Sequence, residues 1–197
     1  MKIGIFGGSF NPVHNGHIAL ASKIRELAKL DEVWLVVSPH NPLKAADSLM
    51  PDEDRLNMVR LAVEGIDGLV ASDYEFHLPQ PSYMLHTLQC LKKDYPEDSF
   101  SLVIGADNWD CFDRWFGYKE IISGFPIFIY PRKGTKIDVS LLPPSAKLLD
   151  TGLYNISSTE IRQRLMGNKS IDGLVPKCVV CYLSSHISLL KNLSPQL

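Results

Sequence analysis

Short runs of consecutive apolar residues alternate along the chain with longer segments in which apolar residues recur every three or four positions. The short runs predict buried strands and the longer segments predict amphipathic helices. The predicted strands are 2–6, 32–38, 100–104, 125–130 and a shorter one at 147–149. The predicted helices are 17–30, 51–63, 81–93, 157–166 and 176–190. The stretch 131–146, rich in Pro, Lys and Ser, is expected to be irregular.

This alternation predicts an α/β fold: a Rossmann-like, doubly wound parallel sheet with helices on both faces, followed by C-terminal helices. A length of 197 residues suits one domain over 1–197, with a C-terminal helical part at about 156–190 and a loose tail at 191–197. Ligands in such folds bind beyond the carboxyl ends of the strands, where the strand order reverses. We therefore expect the site to follow residues 6, 38, 104 and 130.

The composition of the chain limits the classes of partner that it is expected to bind. The 20 Lys and Arg residues against 22 Asp and Glu give a net charge of −2, which argues against nucleic acid as a partner. The first residues do not resemble a signal peptide, and no apolar run is long enough to cross a membrane, so we expect a cytoplasmic protein.

Cys178 and Cys181 form a Cys-x-x-Cys pair, which is either a metal or redox site or part of an apolar helix. The apolar surroundings favour the helix.

The most informative segment follows the first strand and reads GGSFNPVHNGH. It contains neither a dinucleotide-binding G-x-G-x-x-G nor a Walker A loop. Its two glycines allow the backbone to approach a ligand, and the next helix offers free N–H groups to an anion. His14 and His17 are three residues apart, Gly16 leaves space beside them, and both imidazoles can therefore point to one phosphate. The alternative is one structural and one surface histidine.

A second helix start reads NISSTEIR at 155–162. Ser157 and Glu160 have the spacing of a capping box, and Arg162 follows one turn inside the helix. Taken alone, this segment is an ordinary capped helix. Together with the first motif it predicts the other wall of a triphosphate site, built from hydroxyls, backbone amides and one guanidinium.

The two motifs together resemble the HxGH nucleotidyltransferase superfamily and, within it, the bacterial nicotinate-nucleotide adenylyltransferases, over about residues 1–190. Supporting segments are SPHNPLK at 38–44, RLNMV at 55–59, PSY at 81–83, IGAD at 104–107 and RW at 114–115. The resemblance implies that ATP and nicotinate mononucleotide react, with Mg²⁺ as cofactor, to give deamido-NAD and pyrophosphate in NAD biosynthesis. Alternatives are nicotinamide mononucleotide or another phosphorylated acceptor such as phosphopantetheine, or a non-catalytic nucleotide-binding domain. The resemblance leaves open whether the chain forms a homo-oligomer.

The resemblance also implies roles for individual residues. The catalytic set is His14, His17, Lys44 and Arg162. The ATP-binding set is Gly7, Gly8, Ser9, Phe10, Gly105, Asp107, Ile156, Ser157, Ser158 and Thr159, with the carboxylate of Asp107 on a ribose hydroxyl. The mononucleotide-binding set is Lys44, Ser82, Tyr83, Met84, Trp115 and Arg132, with the indole of Trp115 stacked on the ring. No residue is implied as a dedicated metal ligand.

Three positions depart from the pattern of the family. Met84 stands where many relatives carry threonine, His86 stands where relatives often carry Asp or another polar residue, and Pro42-Leu43-Lys44 replaces Pro-Pro-His. The lost threonine hydroxyl bears on the choice between an acid and an amide substrate and leaves adenylyl transfer untouched. Recognition of the acid could then rest on backbone N–H groups.

Overall fold

The computed structural model describes residues 1–39 and 49–186. Its strands are β1 Lys2–Gly8, β2 Glu32–Val37, β3 Leu69–Ser72, β4 Ser99–Gly105, β5 Ile127–Tyr130 and β6 Ala146–Leu148. Its α-helices are α1 Asn15–Ala28, α2 Asp52–Val63, α3 Met84–Asp94, α4 Ala106–Trp109, α5 Tyr118–Gly124, α6 Ser158–Met166 and α7 Lys177–Ser185. Short 3₁₀ helices lie at Tyr74–His77, Phe112–Arg114 and Val139–Leu141.

All six strands form one parallel sheet in the order β3-β2-β1-β4-β5-β6. The chain builds outward from β1 through β2 to β3 and then returns to the other side of β1 with β4. This order confirms the predicted doubly wound sheet. It also places the reversal between β1 and β4, so the loops that follow Gly8 and Gly105 flank the expected ligand crevice.

Apolar side chains of the sheet alternate between two cores, one on each face. On one face, Phe6 of β1 belongs to a cluster with residues of α1, α2 and α7. On the other face, Ile3 and Ile5 of the same strand pack with α3 and α5. Leu85, Leu88 and Leu91 of α3 are at most 6% exposed, as their spacing predicts. Both faces are therefore covered, which a parallel sheet requires.

Several predicted helix boundaries are corrected. Helix α1 covers 15–28 rather than 17–30, because Lys29 adopts a left-handed conformation that ends it. Helix α3 begins at Met84 rather than at 81, because the backbone of its N-cap residue Tyr83 is extended. Helix α7 ends at Ser185. The tail expected at 191–197 lies outside the described residues.

The strand predictions miss one member of the sheet. Strand β3 is only four residues long, and its middle residues are half-buried at the sheet edge, so its apolar pattern is weak. Helices α4 and α5 were also not predicted. Strand β5 starts at Ile127, two residues after the predicted start, because the N–H of Phe125 still bonds the α5 carbonyl of Ile121. The stretch 131–146 is irregular apart from one 3₁₀ turn and the first residue of β6.

The C-terminal helix α7 packs against helix α2. Tyr182 of α7 donates to the Asp54 carboxylate of α2 at 2.7 Å, and the thiol of Cys178 in α7 donates to the Leu61 carbonyl of α2 at 3.3 Å.

Residues 1–39 and 49–186 contain no group of three or more His, Cys, Asp or Glu side chains placed to hold a metal ion. No helix in the same ranges is long and apolar enough to cross a membrane.

Candidate active site

Two histidines cap helix α1 at the crevice. His14 is the N-cap residue, and its Nδ1 accepts the backbone N–H of His17 at 3.3 Å. In return, Nδ1 of His17 accepts the N–H of His14 at 3.2 Å. Their rings stack with centroids 3.6 Å apart. Because each Nδ1 accepts a hydrogen bond, the ring proton of each neutral imidazole lies on Nε2. The two imidazoles thus form the reciprocal cap that Ser and Glu usually form.

The electrostatic setting keeps His14 neutral. Burial and, less strongly, the positive charge of Arg132 together lower the pKa of His14 to about 4, against a smaller opposite effect of a backbone hydrogen bond. His14 is 5% exposed. At neutral pH it is therefore an uncharged donor through Nε2. An uncharged imidazole donor can stabilise charge on a phosphate oxygen while it keeps its ring proton.

Gly16 allows the two walls of the site to approach each other. A Cβ at this position would lie 3.1 Å from Nδ1 of His14 and 3.5 Å from Cβ of Ile156. The distance to His14 is short enough that a larger residue would press on the imidazole, whereas the distance to Ile156 is an ordinary van der Waals contact. The sequence prediction that Gly16 leaves space beside the histidines is confirmed.

We expect Gly16→Ala to lower kcat by about tenfold while the free energy of unfolding stays within about 1 kcal/mol of that of the parent, since alanine favours the helix but displaces the imidazole. Steady-state kinetics and urea unfolding measure the two quantities. Ser22→Ala, at an exposed position of the same helix, controls for helix propensity. Unchanged kcat in Gly16→Ala would show that the His14 position is not critical.

Helix α6 is tied directly to the loop that precedes His14. Ser158 donates its hydroxyl to the Pro12 carbonyl at 2.9 Å, and Nη1 of Arg162 donates to the Asn11 carbonyl at 2.9 Å. Nη2 of Arg162 donates to Oγ1 of Thr159 at 3.3 Å. The structure therefore brings the two sequence motifs together as one wall, and part of each side chain's hydrogen-bonding capacity holds that wall in place.

The predicted capping box of α6 is half formed. Ser157 caps the helix by accepting the Glu160 N–H at 3.2 Å. The Glu160 carboxylate instead pairs with Arg164 at 3.0 Å. Burial lowers the pKa of Arg162, although the guanidinium stays charged at neutral pH. The first turn of α6 thus offers backbone N–H groups beside a partly buried cation, which is suited to an anion.

The carboxyl ends of β4 and β5 contribute an acidic and a basic side chain. Oδ1 of Asp107 lies 3.6 Å from Nε of Arg132, and Nη2 of Arg132 donates to the Tyr130 hydroxyl at 3.2 Å. Gly105 lies under this group, because a Cβ there would overlap the Asp107 carboxylate. Burial raises the pKa of Tyr130. The pair is about half exposed and so accessible to a ligand.

A pocket with a volume of about 160 Å³ and both apolar and polar lining residues opens at the end of β1, and the ring of Phe6 on its wall lies 6.2 Å from that of His17 between centroids. A cavity of about 150 Å³ can hold a benzene molecule, so this pocket has room for a six-membered ring. Four of the predicted mononucleotide residues line it: Ser82, Tyr83, Met84 and Trp115. Gly7 and Gly8 form the wall that adjoins α1. Arg132 is not on the wall of this pocket and lies instead beside Asp107.

Comparisons with known proteins agree with this geometry. Residues 5–164 match the family model described as cytidylyltransferase-like. The chain is 53% identical to the "Probable nicotinate-nucleotide adenylyltransferase" of Bacteroides fragilis over 86% of this chain and 85% of that protein. It is 48% identical to the protein of the same name from Bacteroides thetaiotaomicron, over 95% and 93% of the two chains. The chain belongs to the nicotinate-nucleotide adenylyltransferase family. It is a nucleotidyltransferase enzyme.

The fold of this adenylyltransferase is also found in a solved structure from Plasmodium falciparum, a nicotinic acid mononucleotide adenylyltransferase complexed with NaAD. The TM-score is 0.81 at 23% identity, over 98% of this chain and 99% of that one. At this level of identity the likeness concerns the fold. It confirms the Rossmann-like parallel sheet that the alternation of strands and helices predicts.

Among the residues that the structure describes, the most buried charged side chain of this adenylyltransferase is Arg55, to which the sequence assigned no role. The side chain is fully buried and donates to the carbonyls of Ser9 at 2.6 Å and Ser38 at 2.9 Å, which follow β1 and β2. It also bonds the carbonyls of Met50 and Pro39 and the Asp52 carboxylate. Burial lowers its pKa and Asp52 opposes the shift. Arg55 therefore fixes Ser9 and Ser38, the residues directly after β1 and β2, at the crevice.

Other predicted residues have distinct surroundings. Phe10 has a left-handed backbone and packs its ring over Gly8, where a Cβ would lie 2.9 Å from the ring. Ser9 is also buried. Lys44 lies outside the described residues. Sequence reasoning also assigned no role to Glu75 or Phe116 of the pocket wall, since neither belongs to a local motif.

Proposed function

We propose that this enzyme transfers the adenylyl group of ATP to nicotinate mononucleotide and releases deamido-NAD and pyrophosphate. The observation that carries the proposal is the adjacency of the His14–His17 pair and a ring-sized pocket at the β1–β4 reversal. Gly7 and Gly8 join the two, since they end β1 and line the pocket. The names of the curated relatives, and the solved relative complexed with NaAD, support the same substrates.

In this reaction the phosphate oxygen of the mononucleotide attacks the α-phosphorus of ATP, and the bond to pyrophosphate breaks. The Nε2–H groups of His14 and His17 stabilise the charge on the non-bridging oxygens, together with the N-terminus of α1. The protein supplies position and charge stabilisation, and no covalent enzyme intermediate forms. This fits a site built from imidazoles, amides and guanidinium groups.

The remaining ATP contacts follow from the same arrangement. The first turn of α6 and Arg162 hold the β- and γ-phosphates, and Asp107 accepts a ribose hydroxyl. Mg²⁺ would be held mainly by the phosphates of ATP and by water, as is common for this ion, and it would supply neutralisation of phosphate charge. The described residues fit that role, because the exposed Asp107 carboxylate at the crevice could accept a hydrogen bond from one of the waters on the ion.

Recognition of the nicotinate carboxylate rests on the start of helix α3. Its N-cap residue Tyr83 makes no side-chain capping bond within the described residues, so the first N–H groups of the helix are available to an anion. Met84 lines the pocket but its thioether cannot donate a hydrogen bond. Trp115 supplies the aromatic face, and its buried Nε1 has no hydrogen-bond partner among the described residues. An acid thus fits better than an amide.

The test is pyrophosphate release with ATP and Mg²⁺, in which nicotinate and nicotinamide mononucleotide are compared. We expect kcat/KM for the acid to exceed that for the amide by about tenfold or more, the range of a charge-assisted hydrogen bond. Phosphopantetheine serves as the control acceptor and should give no release. Equal values for acid and amide would refute the acid preference, and no release with either would refute adenylyl transfer to a pyridine mononucleotide.

We further propose that the chain forms a single domain that acts in the cytoplasm. The support for one domain is that the C-terminal segment bonds to the helix that carries the histidines. The Asn15 N–H donates to the Leu174 carbonyl at 2.9 Å, and the Asn15 side chain donates to the Gly173 carbonyl at 2.8 Å. Limited proteolysis that left residues 1–164 folded and active would contradict it.

A further inference from the structure

The wall of the ring pocket contains a buried carboxylate. Glu75 is the second residue of the 3₁₀ helix Tyr74–His77 and is 2% exposed. Its Oε1 accepts the Thr87 hydroxyl at 2.9 Å, and its Oε2 accepts the Ser82 hydroxyl at 3.0 Å. Within residues 1–39 and 49–186, no ion pair of Glu75 with a Lys, Arg or His nitrogen is present. Burial of a carboxylate lowers the stability of a protein unless hydrogen bonds replace its hydration, and these two hydroxyls supply such bonds.

These bonds connect the pocket wall to the helix behind it. Ser82 belongs to the segment before α3, and Thr87 lies in the first turns of the helix. Nε2 of Gln80 also donates to the backbone carbonyl of Glu75 at 3.1 Å. Glu75 therefore fixes both the entry to α3 and its start, on either side of Tyr83 and Met84, which line the pocket.

Resting on the proposed function, we propose that Glu75 is a positioning residue for the mononucleotide: it holds the start of α3 so that the helix N–H groups face the pocket. The direction of one hydrogen bond sharpens this role. Ser82 donates its only hydroxyl proton to Glu75 and so has none to give to a substrate. Ser82 thus acts through the pocket wall, and the amides of α3 are the donors that meet the substrate carboxylate.

The 3₁₀ helix provides a matched comparison at the other end of α3. Tyr74, the neighbour of Glu75, donates its hydroxyl to the carboxylate of Asp94, the last residue of the helix, at 2.5 Å. Glu75 and Tyr74 therefore anchor the same helix at opposite ends. The side chain of Glu75 reaches the pocket wall, whereas that of Tyr74 does not. Tyr74→Phe removes the hydrogen bond to Asp94 at the end of α3 without touching the start of the helix.

The experiment measures binding of nicotinate mononucleotide and of ATP separately by calorimetry. We expect Glu75→Ala to weaken mononucleotide binding by about tenfold or more and ATP binding by less than about twofold, because two buried hydroxyls lose their acceptor at the pocket wall alone. Glu75→Gln should stay within about threefold of the parent, since an amide can accept one hydroxyl and donate to the other. Tyr74→Phe should leave both affinities within about twofold.

Thr87→Val covers the case in which Glu75→Ala does not fold. Thr87 is fully buried and does not line the pocket, and its hydroxyl bonds Glu75 at 2.9 Å and, at 3.4 Å, the Tyr83 carbonyl, so its loss acts on the mononucleotide through the start of α3. We expect about threefold weaker mononucleotide binding and unchanged ATP binding in this variant. Unchanged mononucleotide binding in Glu75→Ala or Thr87→Val would overturn the proposal, as would equal losses in Glu75→Ala and Tyr74→Phe. A parent enzyme that bound neither pyridine mononucleotide would overturn the proposed function, and this inference with it.

Discussion

Replacement of His17 by alanine is expected to lower kcat by about 100-fold or more while the chain remains folded. The ring is held on two sides: it stacks on His14 at 3.6 Å, and its Nδ1 accepts the His14 N–H. Phe10 flanks it at 5.0 Å between centroids. This fixed orientation gives Nε2–H a defined direction before the reaction begins. A donor that needs no reorganisation contributes most to transition-state stabilisation.

The same variant also removes a capping interaction, and a second substitution separates the two effects. His17→Ala leaves the His14 N–H without its acceptor, which should cost about 1 kcal/mol of unfolding free energy. His17→Gln can still accept that N–H, as glutamine does in ordinary capping boxes, but it lacks the imidazole donor. We expect the glutamine variant to recover stability without recovering kcat. If His17→Gln restored kcat as well, or if His17→Ala kept it, the histidine would be structural.

The local parts of the site are predictable from the sequence because each depends on neighbours along the chain. The strand, the glycine pair, the two histidines and the helix start follow one another within residues 2–28. Their spacing alone brings both imidazoles to the helix N-terminus. The sheet also follows from its apolar runs, except for β3, which is too short and too weakly apolar to be recognised.

The parts that depend on distant partners could not be predicted. Glu75 and Arg55 look like surface charges in the sequence, and what makes them structural is hydrogen bonding to groups outside their own motifs. Arg132 was expected at the mononucleotide. Its position after β5 correctly predicts that it lies at the crevice, but the order of the strands decides its neighbour, which is Asp107. The neighbour of Arg132 therefore follows from the topology, and its contact with the mononucleotide stays a prediction.

Arg55→Ala is expected to lower the free energy of unfolding by about 3–5 kcal/mol, the range for removal of one partner from a buried charged network. The guanidinium is fully buried and satisfies four backbone carbonyls besides the Asp52 carboxylate. Alanine would remove the charged donor that these carbonyls share. Because the Ser9 and Ser38 carbonyls follow β1 and β2, the loss should also disorder the crevice, so the KM for ATP should rise in any protein that still folds.

Arg60→Ala is the matched control, because Arg60 lies on the same helix and pairs with Asp73 at 3.2 Å on the surface. An exposed ion pair of this kind is worth about 0–1 kcal/mol, so urea unfolding should detect little change. Arg55→Lys keeps the charge but cannot reach all of the acceptors with one ammonium group, and it should fall between the two. A loss in Arg55→Ala as small as that in Arg60→Ala would show that the carbonyls find other donors. The loops that follow β1 and β2 would then be fixed by packing rather than by this one side chain.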